Sequence, residues 1–241
     1  MSNRGAFAER ARSFGAVAAQ YERGRPSYPP AAVEWLLADG GPRVLDLGAG
    51  TGKLTRELMR RDLDVVAVEP SDGMRGELER VLPGARCLAG SAEAIPLPEG
   101  AVDVVLVAQA WHWVDPARAS PEVARVLAPQ GRLGLLWNVR DEREPWVAEL
   151  GRIVHGGDRP EVETKRPAIG PPFGPIERHD VEWTDRITPA QLLDAVASRS
   201  YVSTLGQAER EATLTAVGDL VGDREEIWLP YVTRCVRTHV M

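Results

Sequence analysis

Short runs rich in valine and leucine alternate with amphipathic segments from Arg43 to Leu136. Buried parallel strands have continuous apolar runs, whereas surface helices repeat apolar residues every three or four positions. The runs predict strands at 43–47, 64–69, 85–88, 102–108 and 131–138, and the amphipathic segments predict helices at 52–61, 71–81, 118–127 and 144–155. This order is typical of βαβ units around a parallel sheet.

The second half of the chain opens with a proline-rich segment, residues 159–175, that contains Pro160, Pro167, Pro171, Pro172 and Pro175. This density excludes a helix and a central strand, so we expect a surface crossing or a loop on the substrate side. Beyond it, the pattern predicts a strand at 176–187, a helix at 188–199 with Thr188 as its cap and Pro189 at its first position, a helix at 208–221 and a closing strand at 227–240.

Length and charge narrow the function classes. A chain of 241 residues can bury the core of one α/β domain, and its net charge of −6 repels phosphate backbones and anionic lipids. Cys87 and Cys235 form no CxxC pair, so neither a disulfide framework nor a zinc site is expected. Without a 20-residue apolar run or a signal peptide, we expect a cytoplasmic protein that binds neither nucleic acid nor membranes and holds no metal.

A glycine loop follows the first predicted strand, in the sequence Val44-Leu-Asp-Leu-Gly-Ala-Gly-Thr-Gly52. Glycine lets the backbone turn tightly and approach a ligand, and the following helix offers free N–H groups. The second predicted strand ends in Glu69, whose carboxylate is placed to accept both hydroxyls of a ribose. Together, the glycine loop and Glu69 predict a site for a nucleoside cofactor. The alternative for the loop is a simple turn, and the alternative for Glu69 is a solvated acid at a strand end.

These residues resemble the motifs of class I S-adenosylmethionine-dependent methyltransferases, in the branch called methyltransferase type 11. The similarity continues through Asp103–Val107, Gln109–Trp113 and the turn Pro129-Gln130-Gly131. The resemblance implies a Rossmann-like α/β fold: a seven-stranded, mostly parallel sheet with helices on both faces, an antiparallel last strand and an N-terminal helical lid. It also implies S-adenosyl-L-methionine as cofactor and S-adenosyl-L-homocysteine as product.

The resemblance assigns roles to single residues. Asp46 matches the acid that helps to hold the methionine end of the cofactor, and Glu69 matches the ribose-binding acid. Ser91 stands where the family usually has an aspartate that meets the adenine amino group, so the backbone amide of Ala92 is an alternative contact. Further cofactor contacts are implied at Gly48, Ala49, Gly50, Thr51, Gly52, Pro70, Glu93 and Gln109, with a solvated loop acid as the alternative for Glu93.

The N-terminal residues resemble a subgroup that includes trans-aconitate methyltransferases, through Phe14, Tyr21, Arg25-Pro26 and Tyr28-Pro29. In that subgroup the segment is a lid, so Tyr21 and Arg25 are expected cofactor contacts; the alternative is that the tyrosines only pack the lid. We therefore divide one methyltransferase domain, 1–241, into a lid segment at 1–40, a cofactor-binding core at 41–140 and substrate-side additions with closing strands at 141–241.

The acceptor is expected beyond the carboxyl ends of strands four and five, where open α/β sheets bind ligands. Trp111, His112 and Asn138 lie there in the sequence, and Arg199 and Tyr201 follow a helix that is expected to face the same crevice. His112 is the candidate general base because its ordinary pKa is near neutral, or else a structural histidine. Arg199 either pairs with an acidic substrate or interacts with the carbonyls of its own helix end.

The sequence therefore predicts methyl transfer to a small molecule by a monomer or homodimer. An acceptor oxygen is favoured, with a carboxylate preferred and a hydroxyl possible. A non-catalytic S-adenosylmethionine-binding module is the alternative, because Ser91 departs from the family pattern. A nicotinamide-dependent oxidoreductase is disfavoured by the G-x-G-x-G spacing of the loop.

Overall fold

The computed structural model describes residues 18–155 and 167–241, and a seven-stranded sheet runs through its centre. The strand order is β3-β2-β1-β4-β5-β7-β6, and β7 is antiparallel to both of its neighbours while the other pairs are parallel. This confirms the predicted Rossmann-like fold. The strands are β1 Arg43–Leu47, β2 Asp64–Glu69, β3 Arg86–Ala89, β4 Val102–Ala108, β5 Leu127–Arg140, β6 Glu177–Ile187 and β7 Ile227–His239.

The helices start and stop where local chemistry allows. Thr188 and Gln191 form the capping box of a helix with Pro189 at its start, as the sequence predicts. Asp115 accepts from the Ala117 N–H, so that helix begins at Pro116, ahead of the predicted start. The helices are α1 Ala18–Gly24, α2 Pro30–Leu37, α3 Lys53–Met59, α4 Asp72–Val81, α5 Pro116–Val126, α6 Pro145–His155, α7 Pro189–Ala197, α8 Ser200–Ser203 and α9 Gln207–Val221.

The sheet separates two apolar layers. Leu45 of β1 packs in one layer with Val123 of α5, and Val44 packs in the other with Leu36 of α2. This alternation follows from the two-residue period of a strand. A third cluster joins α6, α7 and α9 to the start of β7, and we call these three helices the helical cap. Helices therefore cover both faces of the sheet, as predicted.

The proline-rich segment has no helix or strand in its described part. Residues 156–166 lie outside the described part of the chain, and residues 167–175 form a loop in which Phe173 is buried and the other residues are exposed or half-buried. The Gly170 N–H donates to Ser120 Oγ over 2.9 Å. Burial of Phe173 and this hydrogen bond anchor the loop to the core. Among the described helices, none is both long and apolar enough to cross a membrane.

The strand order places a crevice beside β1. This strand pairs with β2 on one side and β4 on the other, so the sheet grows in opposite directions from it. Connections from the two strands then leave toward opposite faces and open a space at the carboxyl ends. The glycine loop, Glu69 and Gln109 all follow strand ends at this edge.

Candidate active site

The glycine loop has a backbone that favours glycine at three positions. Gly48, Gly50 and Gly52 have φ values of +73°, +58° and +87°. A Cβ on Gly48 would meet Ala110 Cβ at 2.9 Å, and one on Gly52 would meet the side chains of α4, whereas one on Gly50 would meet nothing within 4 Å. Gly50 therefore borders open space and is the point of the loop that a ligand can approach closely.

Glu69 holds this loop through its carboxylate. Its side chain is buried, with Oε2 accepting from the Gly50 N–H and Oε1 from the Ser71 N–H, each over 2.9 Å. Burial raises the pKa of Glu69, and the two backbone N–H groups and Arg75 oppose that rise. A carboxylate oxygen can accept more than one hydrogen bond, so both oxygens retain capacity for ribose hydroxyls.

Asp46 is a fully buried acid directly before the loop. Thr55 Oγ1 donates to its Oδ2 over 2.6 Å, while its Oδ1 has no hydrogen-bond partner among the described residues. Burial raises the pKa of Asp46 to about 7, with a smaller contribution from the negative charge of Glu69. An unpaired buried carboxylate oxygen is costly, so this position suits a ligand that donates a hydrogen bond or carries positive charge.

A cleft of about 510 Å³, including its open mouth, lies over the loop. We call residues 24–29 the strap; its Arg25, Pro26 and Tyr28 form one wall of the cleft. Arg25 Nε donates to Ser198 Oγ over 3.3 Å, and Ser27 Oγ donates to Glu57 Oε1 over 2.9 Å. The strap therefore bridges the helical cap and α3 across the cleft.

The opposite walls come from strand ends, from α3 and from the residues beside the cap. Gln109 and Asn138 lie at the ends of β4 and β5, Lys53 begins α3, and Arg199 and Tyr231 come from the cap side. Burial lowers the pKa of Lys53, with Arg56 adding to the effect and Glu22 opposing it. Arg25, Lys53 and Arg199 all line the cleft, and no acidic residue is among the described residues that do so. The cleft therefore favours an anion.

His112 lies on the 3₁₀ turn Trp111–Trp113 that follows β4, and it is an exposed residue outside the cleft lining. Desolvation by neighbouring groups, followed by the positive charge of Arg25, lowers its pKa to about 4. The imidazole is therefore neutral at pH 7 and able to accept a proton. A pKa of about 4 makes this imidazole a weaker base than an ordinary histidine, so the assignment of His112 as the general base stays a prediction.

Trp111 does not reach the cleft, contrary to the sequence prediction. Its side chain is buried in the apolar layer of α5, and its Nε1 donates to the Ala168 carbonyl over 2.8 Å. The residue that accepts this hydrogen bond, Ala168, lies 57 positions further along the chain. Trp111 is therefore a core residue rather than a substrate contact.

The remaining predicted residues come from the loop after β3, from the end of β2, from the glycine loop and from helices α1 and α8. Ser91 pairs with Ala94 through the backbone, Ala92 is buried, and Glu93 accepts from the N–H of Asp115, the residue that caps α5. Pro70 is exposed directly after Glu69. Thr51 is buried, and its hydroxyl donates to Glu22. The side chains of Tyr21 and Tyr201, in α1 and α8, lie outside the described part of the structure.

Six cleft residues were not predicted as contacts: Pro26, Tyr28, Lys53, Leu54, Ala108 and Tyr231. Lys53 directly follows the glycine loop, so its position in the sequence was a usable signal. Tyr28 was assigned to the lid without a contact. Tyr231 had no local signal, because it reaches the cleft only through the antiparallel pairing of β7 with Arg140 of β5.

Comparisons with known proteins agree with this geometry. A family described as "Methyltransferase domain" matches residues 45–135, which run from β1 into β5 and include the glycine loop and Glu69. An uncharacterized methyltransferase of Mycobacterium tuberculosis (strain ATCC 25618 / H37Rv) is 55% identical over 231 residues, covering 93% of this chain and 94% of its own. An uncharacterized methyltransferase-like protein of Schizosaccharomyces pombe is 35% identical over 210 residues, covering 83% and 82%.

Solved structures repeat the fold. A protein assigned as a Type II methyltransferase from Anaeromyxobacter dehalogenans superposes with a TM-score of 0.65 at 24% identity, covering 90% of this chain and 97% of its own. At this identity the likeness concerns the fold alone.

Proposed function

Because the chain belongs to the class I S-adenosylmethionine-dependent methyltransferases, we propose that it methylates an oxygen of a small anionic acceptor, with a carboxylate favoured and a hydroxyl possible. One observation carries the proposal: two guanidinium groups, those of Arg25 and Arg199, and no acid are found among the described residues that line the cleft, while the third lining cation, Lys53, pairs with Glu22 over 3.5 Å. The whole chain carries a net charge of −6, so this local excess of positive charge runs against the overall composition.

The site fits the cofactor on structural grounds. Gly50 borders open space, Asp46 Oδ1 is a buried acceptor without a partner among the described residues, and Glu69 retains acceptor capacity. We assign Glu69 to the ribose hydroxyls and Asp46 to the methionine end. When bound, S-adenosyl-L-methionine supplies an activated methyl group, and its S–C bond breaks as the new O–C bond forms.

Alignment is the main task that remains for the protein. A carboxylate acceptor uses its own lone pair and releases no proton, so it needs to be held in line and desolvated. Arg199 offers a planar guanidinium group, which binds a carboxylate through two parallel hydrogen bonds, and we assign Arg25 to the methionine end of the cofactor.

A hydroxyl acceptor would require a base, and His112 is the candidate. Its ring is neutral at pH 7 and can take the hydroxyl proton as the O–C bond forms, and its lowered pKa makes it a weaker base than an ordinary histidine. A His112→Gln variant therefore discriminates between the acceptors. With a hydroxyl acceptor we expect kcat to fall about 10²-fold or more. With a carboxylate acceptor we expect a change of less than about threefold.

The test is transfer of a radiolabelled methyl group to paired acceptors. Each pair consists of a carboxylic acid and its primary amide, which have the same shape and differ in charge. We expect label in the acids and little or none in the amides. Label only in amides, amines or neutral alcohols would contradict an anionic acceptor.

An Arg199→Gln variant adds a control on the acid that is labelled. We expect its KM for the acid to rise about tenfold or more, because one charge-assisted contact is lost, while its affinity for S-adenosyl-L-homocysteine stays within about twofold. An unchanged KM would remove Arg199 from the acceptor site.

A further inference from the structure

A line of hydrogen bonds runs from the outer strand β6 to the cleft wall. Trp183 Nε1 donates to Thr233 Oγ1 over 2.8 Å, and Thr233 Oγ1 donates to Asn138 Oδ1 over 2.7 Å. Asn138 Nδ2 then donates to the carbonyl of Ser27 in the strap over 2.8 Å. Thr233 is fully buried and lies behind Asn138, outside the cleft lining.

Only one direction satisfies every group in this line. An indole N–H is solely a donor, so Trp183 obliges the Thr233 hydroxyl to accept, and its one proton remains for Asn138. The atom of Asn138 that meets this proton is the oxygen, and the NH₂ group therefore faces the strap. A flipped amide would set the oxygen of Asn138 against the carbonyl oxygen of Ser27, two acceptors without a proton between them.

The position of Asn138 makes this orientation important for the cleft. The residue lines the cleft itself, and Ser27, which it holds, lies between Pro26 and Tyr28 of the cleft wall. The backbone carbonyl of Asn138 also accepts from Gln109 Nε2 over 3.2 Å. Trp183 is fixed in turn by its stacking on Tyr231, another cleft residue, with ring centroids 5.2 Å apart.

We propose that Thr233 and Trp183 are positioning residues, which fix the orientation of the Asn138 amide and thereby hold the strap against the cleft. They act behind the wall and touch neither cofactor nor acceptor. Because the strap carries Arg25, this orientation also sets the position of a cation that lines the cleft. The proposal on the hydrogen-bond line stands independently of the acceptor's identity.

The test measures opening of the strap in the full-length apo protein. Trypsin cleavage between Arg23 and Gly24, at the start of the strap, is followed by mass spectrometry of the fragment that begins at Gly24. For Thr233→Val we expect cleavage about fivefold faster, because opening no longer breaks a fixed hydrogen bond to Ser27. Thr233→Ser keeps the hydroxyl and should restore the wild-type rate to within about twofold.

Asn138→Asp is the sharper variant. It keeps an acceptor for Thr233 but replaces the NH₂ group with an oxygen that faces the Ser27 carbonyl, so we expect cleavage at least about tenfold faster.

Thr238→Val is the matched control, since Thr238 is also fully buried on β7 and its hydroxyl donates to a backbone carbonyl, that of Gly174, over 3.0 Å. Both valine variants should lower Tm by a similar amount, but only Thr233→Val should increase cleavage at Arg23. Equal cleavage in the two variants, or no increase with Asn138→Asp, would overturn the proposal. The cleavage assay contains neither acceptor nor cofactor, so a negative result in it is separate from a negative result in the methyl-transfer assay.

Discussion

Replacing Asp46 with Asn should stabilise the apo protein at neutral and higher pH. The carboxyl is fully buried, and its pKa is raised from 3.8 to about 7, mainly by burial. About three pKa units correspond to about 4 kcal/mol at 1.36 kcal/mol for each unit, which is an upper limit because water that enters the cleft screens the charge. Asn has the same shape and carries no charge, so it removes this cost.

The pH dependence of this stabilisation follows from the protonation of Asp46 in the folded and unfolded states. Below pH 4 both states hold the proton of Asp46, so the charge costs nothing. Between about pH 4 and pH 7 the unfolded state ionises while the folded state retains the proton, and the free energy of unfolding falls as pH rises. Above about pH 7 both states are ionised and the full cost remains. The advantage of Asp46→Asn should therefore grow from near zero at pH 4 to its maximum at pH 8.

The assay is urea unfolding of both proteins from pH 4 to pH 8, with Asp103→Asn as the control. Arg43 holds the pKa of Asp103 below its usual range, so the stability that this carboxylate contributes is lost only as pH falls to about 4 and below. The cost of this variant should therefore be nearly constant from about pH 5 to pH 8. A difference between wild type and Asp46→Asn that does not change with pH would refute the reasoning. Asp46→Asn should also bind S-adenosyl-L-homocysteine about tenfold more weakly, because one charge-assisted contact is lost.

Three further outcomes are expected. Gly50→Ala and Gly100→Ala share a positive φ and open space around the new Cβ, so both should lower Tm by about 2–8 °C, while only Gly50→Ala weakens S-adenosyl-L-homocysteine binding, by about tenfold or more in calorimetry. Glu69→Gln offers one acceptor oxygen to two backbone N–H groups and should reduce the same affinity at least about tenfold. Burial raises the pKa of Cys87 to about 11 and of Cys235 to about 12, so iodoacetamide at pH 8 should alkylate both far more slowly than free cysteine.

The sequence predicted the parts of the fold that local patterns determine. The bounds of β1, β2 and β4 match the predicted ranges, because a buried parallel strand is a short apolar run with turn residues at both ends. Thr188 was also correctly predicted as the N-cap of α7. The start of β5 was missed by four residues, since Pro129 and Gly131 lie in an irregularity of the strand, between Leu127 and Arg132, which are both paired with β4.

Contacts between distant segments could not be predicted in this way. Trp111 looked like a cleft residue because its acceptor, Ala168, lies far along the chain. The line from Trp183 through Thr233 to Asn138 joins three strands, and its direction depends on which group can only donate. By contrast, Glu69 was predictable as a loop-side acid, because the carboxyl ends of neighbouring parallel strands meet at one edge.

A crystal structure at saturating S-adenosyl-L-homocysteine tests the central claim most directly, through the distance from the Glu69 carboxylate to the two ribose hydroxyls. We expect both distances to be about 2.5–3.0 Å, with the amino acid end of the ligand on the side of Asp46 and the strap. Ribose hydroxyls more than about 4 Å from Glu69, or a ligand bound away from Gly50, would contradict the account.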